Sequence, residues 1–167
     1  MMASDRGPTS EEIAIRLARV EDAPAIVSVI HRAFAQYDGV LMPQSGAARE
    51  TADTVAARLG DESCLLALVG STLVGCVFYK PIGEAIYFGR LAVLPNRRGQ
   101  GLARHLIAAV EAAARAAGAA AVTLGVRIAL PANVTMFAAL GYREIGREAH
   151  PGFTEPTSIT MEKRLRP

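Results

Sequence analysis

The sequence predicts an α+β fold: a mixed sheet flanked by helices, with elements in the order β-α-α-β-β-β-α-β-α-β-β. Two observations carry this expectation. Short apolar runs on either side of Gly70-Ser71 make a hairpin, whereas long stretches at helical period between other strands make crossovers. A chain that mixes the two builds a sheet with both antiparallel and parallel neighbours. With 167 residues and 51% apolar side chains, one domain with a substantial core is expected. Residues 1–11 are polar and hold Gly7 and Pro8, so they read as a flexible tail before a single domain over 12–167.

Each element has its own signal. Residues 13–17 alternate weakly and form a first strand. Glu21, Asp22 and Pro24 sit where a helix wants its acids and its proline, and Ile26, Val29, Ile30 and Phe34 then mark one face through about Tyr37. His31 lies off that stripe and reads as a solvated surface residue. Residues 38–46 hold Gly39, Pro43 and Gly46 without a period, hence a loop. A second helix is expected over 47–59, with a modest stripe of Ala48, Thr51, Ala52, Val55 and Leu59. It is either the wall of a substrate site or an ordinary surface helix. Residues 64–69 and 73–79 form the hairpin, Pro81-Ile82-Gly83 breaks it, and a third strand follows over 84–94. Beyond Leu102 the pattern is the clearest in the chain. Leu102, Leu106, Val110, Ala113 and Ala117 share a helical face, Glu111 and Arg115 pair on the outside, and Gly118 supplies a stop. A strand over 121–127, a short helix from Pro131 to about Gly141, and strands over 142–147 and 157–163 complete the order, with a loop at His150-Pro151-Gly152-Phe153.

Composition narrows the function. A net charge of +2 is too weak for a nucleic-acid footprint, so no nucleic-acid partner is expected. Arg97, Arg98 and Arg104 nevertheless cluster, which suits a small polyanion. Cys64 and Cys76 lack CxxC spacing and a histidine neighbour, and read as buried reduced thiols. No set of residues has metal-ligand spacing, so no metal is expected. Residues 1–10 lack the apolar stretch of a signal peptide and no apolar run nears the ~18 residues of a membrane span, so a soluble, cytoplasmic protein is expected.

The arginine cluster lies in the stretch Leu91-Ala92-Val93-Leu94-Pro95-Asn96-Arg97-Arg98-Gly99-Gln100-Gly101-Leu102-Ala103-Arg104. A strand, a glycine-containing turn and a helix N-terminus follow one another. Free turn amides, glycines that admit a ligand to the backbone and a favourable helix dipole make this a phosphate site. A tight turn with solvated arginines is the plainer reading. There is no G-x-x-x-x-G-K motif, and Gly99-x-Gly101 lacks the third glycine of a dinucleotide fingerprint.

Arg98-Gly99-Gln100-Gly101-Leu102-Ala103 also fits the pattern of Arg or Gln, two residues, Gly, one residue, then Gly or Ala. It follows a strand ending Leu-Ala-Val-x-Pro and precedes a long helix, and Leu140-Gly141-Tyr142 resembles a downstream Leu-Gly-aromatic signature. On these residues the chain resembles the GNAT superfamily of N-acetyltransferases over about 12–165. The resemblance implies a mostly antiparallel central sheet and acetyl-CoA as cosubstrate. It implies that the backbone of Arg98, Gly99, Gln100, Gly101, Leu102 and Ala103, with Arg104 beside it, holds the pyrophosphate. Arg97 or Arg98 would add charge or reach the 3′-phosphate. The backbone of Leu91 and Val93 would pair with the pantetheine arm and polarise the thioester carbonyl, in a fork between this strand and that over 121–127. Family members often dimerise, so a homodimer is a possible partner state.

The catalytic groups depart from the family's pattern. The tyrosine that often protonates the departing thiolate is replaced by Phe137. The frequent Asn of the same helix is displaced: its place falls on Leu130, and Asn133 either reaches the pantetheine or caps the helix. Where some members carry a basic Glu, this chain has Tyr87. Strand alternation is expected to put Tyr87, Gly89, Leu91 and Val93 on one face. Tyr87 is then a candidate acid or an amphipathic wall. Glu84 is a candidate base, and so is His150, which titrates near neutrality. Tyr142 reads as core. Asp38, Glu50, Asp53 and Glu155 lie in the segments expected to shape the acceptor pocket and could attract a cationic amine, although the same segments also hold basic residues. The expected function is transfer of an acetyl group from acetyl-CoA to the primary amine of a small molecule or peptide by direct attack. The alternative is a non-catalytic acyl-CoA-binding or sensor module.

Overall fold

Seven short segments pair into a single sheet with the strand order β1-β2-β3-β4-β5-β7-β6. The structure, a computed structural model, describes residues 12–165; the tail expected at 1–11 lies outside them. The elements are β1 (Ile13–Leu17), α1 (Ala23–Phe34), α2 (Ala52–Arg58), β2 (Ser63–Val69), β3 (Thr72–Ile82), β4 (Ala85–Val93), α3 (Leu102–Ala116), β5 (Ala121–Arg127), α4 (Pro131–Ala139), β6 (Arg143–Glu148) and β7 (Ser158–Arg164). They follow the expected order. Every neighbouring pair is antiparallel except β4 and β5, which the α3 crossover joins in parallel.

The helices cover both faces. α1 and α2 pack together on one side, where the Arg58 guanidinium of α2 lies 4.6 Å over the Phe78 ring. On the other side a side-chain atom at Gly75 would lie 3.2 Å from Leu106 of α3, and Phe88 stacks against Phe137 of α4. Ile26 and Ile30 of α1 and Leu106 and Val110 of α3 are fully buried, each contributing on the order of 1.5–3 kcal/mol of transfer free energy. α3 ends as its glycine predicts: Gly118 takes φ +74°, Ala119 N–H bonds Ala114 C=O at 2.9 Å, and Gly118 N–H bonds Arg115 C=O at 3.0 Å. Cys64 and Cys76 are buried free thiols, as expected. Among the described residues no helix is long and apolar enough to cross a membrane.

Four local expectations are corrected. The helix expected over 47–59 is two pieces, a 3₁₀ turn Gly46–Arg49 and α2. Glu50 and Thr51 are extended between them, because Thr51 and Thr54 exchange side-chain and backbone hydrogen bonds and so start a new helix. β3 runs through Pro81 to Ile82. β2 ends opposite Tyr79, so beyond that point β3 has a neighbour on one side only, where a proline is tolerated. Glu111 is not on the outside of α3 paired with Arg115. It is buried, accepts the Tyr142 hydroxyl at 3.1 Å and pairs with Lys163 Nζ at 3.0 Å.

The fourth correction concerns β4. Cys76 pairs with Ala92 but Phe78 pairs with Gly89, so Arg90 and Leu91 together oppose Val77. This is a β-bulge, and Arg90 carries φ +52°. The extra residue ends the simple alternation. Tyr87 and Gly89 share the α1–α2 face with Phe78, whereas Leu91 and Val93 share the α3 face with Gly75.

Candidate functional site

Past the bulge, β4 loses its parallel partner. Pairing with β5 runs from Ala85↔Ala121 to Phe88↔Leu124 and stops there. Gly89 to Val93 and Gly125 to Arg127 then diverge and leave backbone groups of both strands without a ladder partner in the fork. A cavity of about 740 Å³ occupies the fork.

One end of the cavity is the turn before α3. After a 3₁₀ turn, Pro95–Arg97, both Gly99 and Gly101 take φ +78°. That left-handed conformation is one that glycine adopts without strain. Gly101 is the N-cap of α3 and no side chain supplies a cap, so the first-turn amides have no acceptor within the helix. Gly99, Gly101, Leu102, Ala103, Arg97 and Arg104 line the cavity here. Gln100 is exposed and outside the lining. The Arg98 guanidinium lies against the end of α1, donating to Ala33 C=O at 3.0 Å and Gln36 Oε1 at 3.2 Å. This side chain anchors the turn to α1.

The middle of the cavity is walled by Leu91 and Val93 from β4 and by Asn133 and Phe137 from α4. Phe137 is an apolar wall, its ring 6.1 Å from Phe88 and 6.2 Å from Tyr142. Leu130 caps α4 without a side-chain bond, and Asn133 turns toward the cavity instead of closing the helix end. Tyr142 is core, its hydroxyl engaged by Glu111, and takes no part in the cavity.

Tyr87 stands at the crotch of the fork. Two glycines make room for it: a Cβ at Gly89 would lie 3.4 Å from its ring, and one at Gly125 would lie 3.6 Å from its hydroxyl. Burial raises the phenol above its ordinary range, so it is protonated at neutral pH. His150 reaches the cavity from the loop after β6, held by hydrogen bonds of its backbone N–H (3.0 Å) and its Nδ1 to the Thr157 hydroxyl. Burial, and then the charge of Arg127, hold its imidazole below the usual value, so it is neutral at pH 7.

The structure does not bring every candidate together. Glu84 is exposed in the β3–β4 turn, at the far end of β4, and does not line the cavity. Asp38, Glu50, Asp53 and Glu155 do not line it either. Burial works against the charge of Glu50, but the Thr54 hydroxyl (2.6 Å), Arg90 Nε (3.3 Å) and Arg58 Nη1 (3.1 Å) hold its carboxyl below the usual range. Two charged cavity residues were not anticipated from the sequence, Arg90 and Arg127. Arg90 projects from the bulge, which no periodicity announces, and Arg127 is the last residue of β5, with no motif around it. Among the described residues no group of His, Cys, Asp and Glu is placed to hold a metal ion.

Comparison with known proteins places this geometry. The model of the acetyltransferase (GNAT) family matches residues 29–142. No curated protein matches the sequence significantly. Among solved structures, the PaiA N-acetyltransferase from Thermoplasma acidophilum in complex with coenzyme A superposes with a TM-score of 0.78 at 19% identity, covering 92% of this chain and 99% of that one. The ribosomal-protein-S18-alanine N-acetyltransferase from Escherichia coli gives 0.75 at 20% identity, covering 92% and 94%. A GCN5-related N-acetyltransferase from Rhodopseudomonas palustris gives 0.73 at 26% identity, covering 91% and 95%. The family model runs from the second half of α1 through the forked strands, the glycine turn and α4, and this chain belongs to the GNAT family of acetyltransferases.

Proposed function

We propose that the protein transfers the acetyl group of acetyl-CoA to a primary amine by direct attack, within one domain over 12–167. The observation that carries this reading is the fork of β4 and β5 opening beside the Gly99–Gly101 turn. Its parts fit the cosubstrate chemically. The amides of Gly99 to Ala103 and the α3 dipole receive the pyrophosphate, with Arg97 and Arg104 adding charge. The unpaired backbone of Leu91 and Val93 pairs with the amide groups of the pantetheine arm and polarises the thioester carbonyl. Asn133 and Phe137 wall that arm.

The neutral amine nitrogen attacks the thioester carbonyl carbon, and the carbon–sulfur bond breaks as the amide forms. The amine's surplus proton passes to the ring of His150, directly or through water, and the thiolate takes a proton from the Tyr87 hydroxyl. The protonation states suit these roles: a raised phenol arrives with its proton and a depressed imidazole arrives without one. Positioning in the fork supplies the rest.

Phe137, standing where a proton donor is common, favours a second reading, an acyl-CoA-binding module without turnover. Release of CoA thiol from acetyl-CoA in the presence of a broad amine panel separates the two. Amine-dependent release is expected. Tight acetyl-CoA binding with no release above hydrolysis across the panel would overturn the transfer reading and leave the binding module.

A further inference from the structure

The cavity has charge of one sign at both ends. Arg97, Arg98 and Arg104 border the glycine turn, Arg90 and Arg127 border the other end, and among the described residues no Asp or Glu lines it. The first group matches phosphates. The second lies away from the glycine turn, among the segments that enclose the acceptor's approach: the α1–α2 connection and the β6–β7 loop. Arg127 ends β5 on the face of Tyr87, touches Gln44 C=O at 3.5 Å, and is close enough to His150 to depress it.

The two arginines differ in what already balances them. Arg90 Nε bonds Glu50 Oε1 at 3.3 Å, and Glu50 also holds Arg58. Among the described residues Arg127 has no carboxylate within ion-pair distance, and its one side-chain hydrogen bond is the long one to Gln44. It is half-buried, and burial alone works on it, pulling its pKa below the usual guanidinium value. A guanidinium in that position presents several N–H donors in a rigid fork to whatever enters the cavity.

We propose that the acceptor amine carries a carboxylate, and that Arg127 binds it. The inference rests on the amine-transfer reading and deepens it. A carboxylate matches the planar fork of Arg127 in two parallel hydrogen bonds. It also anchors the acceptor on the face of Tyr87 and His150. The same positive surroundings penalise a protonated amine, so the bound acceptor loses its ammonium proton more readily and presents the neutral nucleophile. A polycationic amine meets the opposite condition, with two arginines at the acceptor end and, among the described residues, no lining carboxylate to hold it. The same group could come from the α-carboxylate of a free amino acid or from an acidic residue beside a peptide's N-terminus.

Two matched comparisons test this with acetyl-CoA saturating and CoA release as the readout. The first sets the twenty free amino acids against their carboxamides. The second sets the dipeptide amide Ala-Asp-NH2 against Ala-Asn-NH2. A kcat/KM at least tenfold higher for the acid member of either pair is expected, and the arm that shows it names the source. Arg127→Gln should raise KM for that acid at least tenfold with kcat changed less, while acetyl-CoA affinity stays within twofold; Arg127→Lys should recover part of the loss. Amides or polyamines used as well as the acids would overturn the carboxylate while leaving amine transfer standing. So would unchanged acid preference in Arg127→Gln. Acetyl-CoA binding without release for any amine would overturn both.

Discussion

Tyr87 and Phe137 illustrate how a single position changes the chemistry available to a site. Phe137 has no proton to give and is packed among Phe88 and Tyr142, so the α4 wall of the fork is apolar. Across the fork, Tyr87 has its ring between two glycines and its hydroxyl beside Gly125. If the phenol protonates the leaving thiolate, Tyr87→Phe should lower kcat roughly 10²-fold or more, in the range typical of a lost general acid, with acetyl-CoA affinity unchanged. Because burial raises the phenol, the unmodified enzyme should show no alkaline decline from this group below pH ~10. A kcat within twofold of the parent in Tyr87→Phe would make the ring a wall only. Legibility at this scale was uneven. The replacement at Phe137 and the candidacy of Tyr87 and His150 came from the resemblance to the family, position by position. That Glu111 is buried could not be read from the sequence, because its partner Lys163 lies on β7, more than fifty residues away in the chain.

At the scale of elements, the glycine turn and α3 form one device. Two left-handed glycines turn the chain so that the helix begins with its amides uncapped and facing the cavity. Arg98 ties the same turn to α1, which fixes the mouth of the cavity to the opposite layer. Gly101→Glu should weaken acetyl-CoA at least a hundredfold, by calorimetric titration, since a carboxylate would occupy the anion's place. Gly101→Ala separates that effect from backbone strain. A Cβ at Gly101 meets nothing closer than His105 at 3.7 Å, so alanine should cost stability on the order of 1–3 kcal/mol through φ alone and weaken binding far less. Equal loss in both variants would remove the turn from the anion site. These elements were the most legible part of the chain, because a strand, two glycines and a helical stripe are local patterns. The entry to α2 was not. The apolar stripe runs through Thr51, and only the reciprocal bonding of Thr51 and Thr54 shows that the helix restarts there.

At the scale of the molecule, the ligand is expected to act as a fastener. The fork interrupts a seven-stranded sheet at its one parallel pairing, and the two halves of the sheet meet only over four residue pairs. Binding there should stabilise the whole fold. At a concentration a hundred times Kd, acetyl-CoA should add about 2.7 kcal/mol. For a chain of this length that is a rise in Tm of roughly 5–10 °C, measurable by differential scanning fluorimetry. A shift below one degree at that excess would contradict binding in the fork. The order of elements and the mixture of pairings followed from local patterns and from the short and long connections between them. What local patterns cannot encode is the point at which two paired strands part. Nothing in the residues 85–94 or 121–127 distinguishes paired from unpaired backbone.

The bulge at Arg90 has one more consequence, for how β4 tolerates changes in length. Gly89 and Ala92 face the same layer although three positions separate them, because Arg90 is supernumerary in the ladder. Excising Arg90 would therefore leave Tyr87, Gly89, Leu91 and Val93 each facing its present layer. Excising any residue on either side would turn the stretch between that gap and the bulge inside out. Deletion of Arg90 should therefore be tolerated far better, by thermal melting, than deletion of Phe88 or Ala92, since only the first removes a residue the ladder does not need.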